Sequence, residues 1–507
     1  MFLGIDCGTQ GTKVLLWDVE NQQVLATSFH AHPLLNERPG QKEQHPTDWL
    51  NAMRAGVRDV MEKTAVGRDK ILGIGVSAQQ HGLVILDQND RVIRPAKLWC
   101  DTESTAGLKR FLHDYQSMYG HRLSADIGIP VPVAFTLGKL LWVKQHESAH
   151  FARIDKVMLP HDYLNYFLTG NFRTEPGDAS GTGYFDTRLK TWHTPVLALI
   201  DPTLHSKLPE VIASHQAQGF LRVEAAAYLG LSADIVVSSG GGDNMMSAIG
   251  TGNIAPGRVT MSLGTSGTLS TCQPEQIDCS GFEDINTFCS STGAWLPLIS
   301  TMNVTNSINT YRQLMDIDIK DFDNTLMASQ PGAEGLFSFP WLNGARLPNL
   351  PGARGEISGM TMANFTKPHL LRSVVEGVTF NLCKGIEIFN ARGLMFDSVT
   401  IIGGGANSRA WCGMIADITG LTVTRPAVPD AAALGAAIQA HWCFRNSASH
   451  AETVPLPPLL PEWLTSEQGE TIAPDPAISE RYRQIYQNYH AEVDKRKARY
   501  LDESPSE

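Results

Sequence analysis

Gly-Thr-x-Gly-Thr is written twice in these 507 residues, as Gly8-Thr9-Gln10-Gly11-Thr12 and, about half a chain later, as Gly264-Thr265-Ser266-Gly267-Thr268. A turn rich in Gly and Thr offers backbone N–H groups and hydroxyls to an anion, with no bulk to block close approach. Two such turns on opposing lobes can grip a polyphosphate from both sides. Read alone, either copy is simply a hairpin turn. The repetition at half-chain spacing, and the acid Asp6 just ahead of the first copy, favour phosphate.

Asp243 follows the apolar run ADIVV and three glycines, which puts a carboxylate at the carboxyl edge of a sheet, where α/β proteins bind ligands. An N-cap for the following NMMSAIG accounts for it about as well, but the second Gly/Thr turn follows shortly after. Gln79, Gln80, His81 and Gly82 end the strand ILGIGVSA and suit a hydroxyl-binding turn, although a lone loop histidine is the ordinary alternative. Asp101, in LWCD, is a weaker candidate of the same kind. GGGANS at 403–408 joins a strand to a helix; it suits a nucleotide sugar or phosphate, or else close strand-to-helix packing. It is not GxGxxG, and no Gly-x-x-x-x-Gly-Lys-[Ser/Thr] occurs, so neither a dinucleotide fold nor a P-loop is supported.

The elements that must hold these residues come in two similar sets. FLGID, KVLLWDV and VLATSFHA read as strands, followed by a helix from Pro46 with Thr47 as its cap, then ILGIGVSA and GLVILD. In the second half VTMSL, TLSTC and AWLPLIS read as strands and NVTNSINTYRQLM as a helix. A long helix starts at Pro368, SVTIIGGG is a buried strand, and SRAWCGMIADITG, LTVTRPAV and AAALGAAIQAHWCF form helix, strand and helix. Residues 342–355 are loop-rich. The tail from Ala477 reads as a helix with the stripe Ile478, Tyr482, Ile485, Tyr486, Tyr489 and Val493. Its cations Lys495, Arg496 and Lys497 are expected to compensate the helix dipole.

Composition narrows the function. Net charge −11 argues against a nucleic-acid backbone as partner. Eight scattered cysteines without a CxxC pair suit reduced thiols in the cytoplasm. MFLGIDCG is not a signal peptide, and no apolar run is long enough to span a bilayer. His146-Glu147-Ser148-Ala149-His150 fits the zinc pattern HExxH, but no third ligand or glycine turn follows, and a zinc site is not expected.

Taken together, these motifs resemble the FGGY family of carbohydrate kinases, in the superfamily of two-lobed actin-like ATPases. DCGTQGTK resembles the family's first phosphate motif, SLGTSGT its second and IIGGGANS its adenosine motif. Gly355, Ile357, Gly359, Met360, His369, Leu370, Ser373, Val374, Val375 and Glu376 match the C-terminal pattern; the N-terminal pattern fits around FTLGKLLWVKQH except at Ala134. Two departures are Ala345, in Gly344-Ala345-Arg346-Leu347-Pro348, where the family usually has Glu, and Asp430 followed by Ala432, where Glu and Gly are frequent.

The resemblance implies an α/β fold of two actin-like (ribonuclease H-like) lobes with the active site in the cleft between them: residues 1–245, 246–475 and a tail, 476–507. It implies transfer of the ATP γ-phosphoryl to a primary hydroxyl of a ketopentose, D-xylulose at O5 before other sugars or polyols. Asp243 would be the general base, and Asp6 would hold Mg²⁺ through water. Gly8, Thr9, Gln10, Thr12, Lys13, Gly264, Thr265, Ser266, Gly404, Gly405 and Asn407 would meet ATP; Gln80, His81, Asn244 and, less firmly, Asp101 would meet the sugar. Lobe closure about a hinge near 244–256 should accompany the reaction. A small-molecule sugar and ATP are the expected partners, without nucleic acid or membrane, and a homodimer is left open. A non-sugar actin-like ATPase is the rival, since it would share both phosphate turns.

Overall fold

The structure, a computed structural model, describes residues 1–279, 284–448, 452–465 and 469–502. Strands are numbered here within the two central sheets. β1 (Phe2–Cys7) and β2 (Gly11–Asp18) flank the first Gly/Thr turn as an antiparallel pair in which Cys7 faces Thr12. β3 (Gln23–Ala31) extends the meander, its alternating exposure marking an edge strand with one wet face. α1 (Pro46–Thr64) carries the chain to β4 (Gly73–Ala78), which lies parallel to β1 and is buried throughout. The expected Thr47 cap is not made: α1 begins at Pro46, its N-cap is His45, and no side chain caps it. Proline needs no N–H at this position, so the helix starts there without one.

α2 (Thr136–His146) and α3 (Pro160–Thr169) follow, then β5 (Ala217–Phe220), β6 (Val236–Ser238) and β7 (Gly241–Gly242). The first sheet has the order β5-β6-β4-β1-β2-β3, with β7 pairing against the Ser77–Ala78 end of β4. That pairing sets Gly242, and with it the start of α4 (Asp243–Gly250), beside the Ala78 end of β4.

The second lobe repeats the plan. β8 (Arg258–Leu263) and β9 (Gly267–Ser270) are antiparallel across the second Gly/Thr turn, and β10 (Ile285–Cys289) and β11 (Trp295–Thr301) extend them. β12 (Ser398–Ile402) runs parallel to β8, as β4 does to β1; β13 (Thr422–Arg425) and β14 (Glu470–Ile472) complete the order β10-β11-β9-β8-β12-β13-β14. Sequence reading has no strand at INTFC; its antiparallel pairing with β11 makes β10.

The helices α5 (Lys367–Asn390), α6 (Arg409–Thr419) and α8 (Pro476–Asp502) close over the second sheet, while α7 (Ala431–Ala448) goes elsewhere. Although it falls in the stretch expected for the second lobe, α7 packs on β1, β4 and α4 of the first. Small residues permit this approach. A Cβ on Gly4 would lie 1.8 Å from the Ala433 carbonyl oxygen, one on Gly75 1.8 Å from that of Ala436, and one on Gly435 1.8 Å from that of Met246. α4 and α7 thus cross backbone to backbone, with α7, from the second half of the chain, seated on the first sheet.

The expected stripe of α8 is buried as read: Tyr482, Tyr489 and Val493 enter the second core, with Ile478, Ile485 and Tyr486 packed against it. Its cations behave differently from expectation. α8 continues to Asp502, so residues 495–497 precede its last turn, and Arg496 is buried over the Phe339 ring and paired with Glu356 at 2.5 Å. Residues 503–507 of the expected tail lie outside the described residues.

Candidate active site

Asp6 and Lys13 are cross-strand partners on β1 and β2, so both side chains leave the same face of the sheet beside the first Gly/Thr turn. Ser77, beside Asp6 on β4, donates to Asp6 Oδ1 at 2.9 Å. Burial holds the Asp6 carboxyl above its ordinary range, against the pull of Ser77 and Lys13. Lys13 Nζ reaches Asp430 Oδ1 at 2.8 Å, a link from the first lobe to the residue that precedes α7. The departure at Asp430 therefore bears on a cation of the first phosphate turn.

Asp243 is the first residue of α4, behind the N-cap Gly242, and it makes no capping bond. Its Oδ1 accepts instead from the Asn244 amide N–H at 2.8 Å and from Asn244 Nδ2 at 3.1 Å. The capping account is thereby set aside. Burial, then the charges of Asp6 and Asp178, push the Asp243 carboxyl up to about 7. A carboxylate poised there takes a proton at neutral pH without being too weak a base.

Asn244 is the hub. Its Nδ2 donates to Gln80 Oε1 at 2.8 Å, and its Oδ1 accepts from Thr268 Oγ1 of the second Gly/Thr turn at 3.2 Å. Gln80 Nε2 is buried with no hydrogen-bond partner, a donor that a ligand hydroxyl would satisfy. His81 sits beside it with φ +66°, its ring stacked on Phe288 of the second lobe at 5.8 Å and tilted against Phe135 at 4.8 Å. Burial, helped by the charges of Lys139 and Arg346, lowers its pKa to about 3, so the ring is neutral with one donor and one acceptor nitrogen.

Asp101 stands apart from this group. It is fully buried, and its oxygens accept from the Lys42 and Glu103 amides at 2.9 and 3.1 Å and from Lys97 Nζ at 3.1 Å. Lys97 also binds Glu43 and Glu103 and lies over Trp142, so these three carboxylates surround an ammonium and have no need of a metal. A sugar hydroxyl would have to displace one of those bonds.

The residues expected to meet ATP separate by exposure. Gly8, Thr9, Gln10, Gly264, Thr265 and Ser266 reach the surface of their turns, whereas Thr12 is wholly buried in β2. After β12, Gly404 and Asn407 are exposed on a single 3₁₀ turn, and a Cβ on Gly404 would meet nothing within 4 Å. Gly405 is a packing residue, because a Cβ there would lie 2.6 Å from both Leu263 and Trp411. Both accounts of GGGANS hold, at different glycines.

With this geometry in place, comparison with known proteins is informative. The N-terminal domain model of the FGGY family of carbohydrate kinases matches residues 1–250, and the C-terminal domain model matches residues 259–443. The chain belongs to the FGGY family of carbohydrate kinases. It is similar to a xylulose kinase of Haemophilus influenzae, 38% identical over 96% of this chain and 98% of that one. A xylulose kinase of Escherichia coli is 32% identical over 96% of this chain and 99% of its own. The crystal structure of xylulose kinase from Bifidobacterium adolescentis superposes with a TM-score of 0.76 at 28% identity, covering 95% and 98% of the two chains.

In this FGGY kinase the HExxH pattern is broken by the fold. α2 ends at His146, a second short helix starts at Ser148, and Glu147 is paired with His150 and with Arg94 at 2.8 and 2.7 Å. The two histidines do not share a helix, so no zinc pair forms. The wall behind Asp243 was not among the expected site residues. His161 on α3 is fully buried between Asp178 (2.6 Å) and Asp162 (3.0 Å), and a Cβ on Gly242 would lie 3.0 Å from Asp178 Oδ1. Burial would lower the His161 pKa, but the two acids outweigh it and raise it to about 9. The string HDYLNYFLTG carried a signal, since His-Asp in an otherwise apolar helix needs a buried partner. None of the described helices is long and apolar enough to cross a membrane.

Proposed function

We propose that this carbohydrate kinase transfers the γ-phosphoryl of ATP to O5 of D-xylulose, forming D-xylulose 5-phosphate. The observation that carries the proposal is Asp243, a carboxyl raised to about 7 and bonded through Asn244 to Gln80, between the two phosphate turns. The names of the H. influenzae and E. coli relatives supply the sugar. Asp243 accepts the proton of the attacking hydroxyl as the bond to phosphorus forms. Gln80 Nε2, the neutral His81 ring and Asn244 orient the sugar, whereas the Asp101 oxygens are taken up by Lys97 and two backbone amides. Gly8, Thr9, Gln10, Lys13, Gly264, Thr265 and Ser266 hold phosphates, Thr12 acts only by supporting their turn, and Gly404 and Asn407 form the adenosine side, with Gly405 packing their turn against Leu263 and Trp411.

Asp6 and Asp243 are both buried carboxyls, and the charge of Asp6 raises the Asp243 pKa, so a hydrated divalent cation suits this oxygen-only pair. Asp6 would hold Mg²⁺, which neutralises charge on the β- and γ-phosphates when bound. The proposed units are 1–245, 246–475 and 476–507. Residues 244–250 lie in the packed helix α4, which leaves Thr251–Pro256 as the non-helical part of the expected hinge; Gly252 has positive φ there, as does Gly257 just beyond it. A cytoplasmic location completes the proposal, with a homodimer left open. ADP release measured over pentuloses, pentitols and glycerol tests the substrate: D-xylulose should give the highest kcat/KM, and ATP hydrolysis indifferent to every sugar refutes the reading. Nucleotide-dependent polymerisation, seen by light scattering, would favour the filament-like ATPase instead.

A further inference from the structure

Resting on that kinase reading, we infer that Gln79 and Thr268 are positioning residues that tie the sugar turn to the two phosphate turns, one on each lobe, so that acceptor sugar and ATP strengthen each other's binding. In the first lobe Thr9 Oγ1 donates to Gln79 Oε1 at 3.0 Å, Gln79 Nε2 to Gln44 Oε1 at 2.9 Å, and Gln44 Nε2 to the Thr9 carbonyl at 2.7 Å. These bonds close a ring through three residues, Thr9 taking part with both its hydroxyl and its backbone carbonyl. Trp99 Nε1 donates to Thr9 Oγ1 at 3.0 Å and Trp49 Nε1 to Gln44 Oε1 at 2.9 Å, pinning the ring from outside. Gln44 and Gln79 are buried, and the Gln79 amide N–H is bonded to the Cys7 carbonyl at the end of β1.

The second connection crosses the cleft. Thr268 Oγ1 donates to Asn244 Oδ1, and Asn244 Nδ2 divides its two protons between Gln80 Oε1 and Asp243 Oδ1. The two connections meet at adjacent residues, Gln79 and Gln80. Each amide has one orientation compatible with all its partners, because a flip would oppose donor to donor and acceptor to acceptor. A sugar hydroxyl on the unpaired Nε2 of Gln80 therefore immobilises Asn244, and with it Thr268; the same turn holds Gln79, and with it Thr9. ATP then meets two phosphate turns already ordered and loses less conformational freedom on binding. Linkage makes the effect reciprocal.

The test is calorimetric titration of sugar into the protein, with and without Mg²⁺ and a non-hydrolysable ATP analogue. The sugar is whichever one gives ADP release in the substrate screen, so failure of D-xylulose refutes the substrate while the coupling is still measured. In the wild type the analogue should tighten sugar binding roughly tenfold, within the usual span of coupling between sites. Thr268→Val and Gln79→Met should each reduce that factor below about twofold, while Thr268→Ser, which keeps the hydroxyl, should retain it. A merely structural role would weaken sugar binding equally with and without the analogue and leave the factor intact. That outcome in Thr268→Val, or no coupling in the wild type, overturns the inference.

Discussion

Asp243 gains its basicity from burial and from two neighbouring carboxylates, and loses some of it to the Asn244 hydrogen bonds. As the proposed base it acts in its ionised form, so kcat/KM should fall below about pH 7, by roughly tenfold one unit lower, on a plateau that extends above it. A profile flat from pH 5 to 8 would remove Asp243 as the base. Asp243→Asn should lower kcat by about 10²–10⁴ with ATP binding kept, measured by turnover and nucleotide titration. The same carboxyl strains the fold. A folded-state pKa raised above the unfolded value means that stability falls as pH rises from about 4 to about 7. Asp243→Asn should accordingly melt higher than the wild type at pH 8, and by more than at pH 4. Equal differences at both pH values would contradict the burial account.

Elements succeed or fail here on how closely backbones approach. Gly435 lies where α7 crosses α4, and Gly404 lies on the open turn after β12. Gly435→Ala should cost on the order of 3 kcal/mol by overpacking, seen as a thermal midpoint several degrees lower. Gly404→Ala should leave the midpoint in place and raise the KM for ATP if adenosine passes there. A destabilised Gly404→Ala would make both glycines packing residues. α3 offers a second check through His161. Its raised pKa gives stability that is complete below about pH 6.5 and is lost as pH rises through about 9. The gap in thermal midpoint between wild type and His161→Gln should therefore narrow from pH 6 to pH 9.5; a gap that widens would show the imidazole to be buried neutral.

The whole molecule is two similar sheets joined by the α4–α7 crossing, the Lys13–Asp430 pair and the Asn244–Thr268 bond. Closing the cleft should shrink the particle, so the radius of gyration from small-angle scattering should fall when sugar and a non-hydrolysable ATP analogue are added together. No change on adding both would rule out lobe closure about Thr251–Pro256.

Much of this molecule was legible in local sequence. Gly/Thr turns, apolar runs and the stripe from Ile478 to Val493 are short-range patterns, and a strand or an amphipathic helix forms from its own residues once it has a surface to cover. The pairing of each turn with a preceding strand, and Asp243 at a sheet edge, could be read for the same reason. What needed the fold was every choice between two uses of one residue. Asp243 was equally a cap or a base until Gly242 took the cap; Gly405 and Gly404 were alike until Leu263 and Trp411 filled the space at one of them. Arg496 looked like a dipole partner until Glu356, far away in the chain, claimed it. α7 belonged by position to the second lobe, but its small residues fit the glycines of β1 and β4 in the first. Such assignments depend on partners distant in sequence, whose identity appears only when the chain is packed.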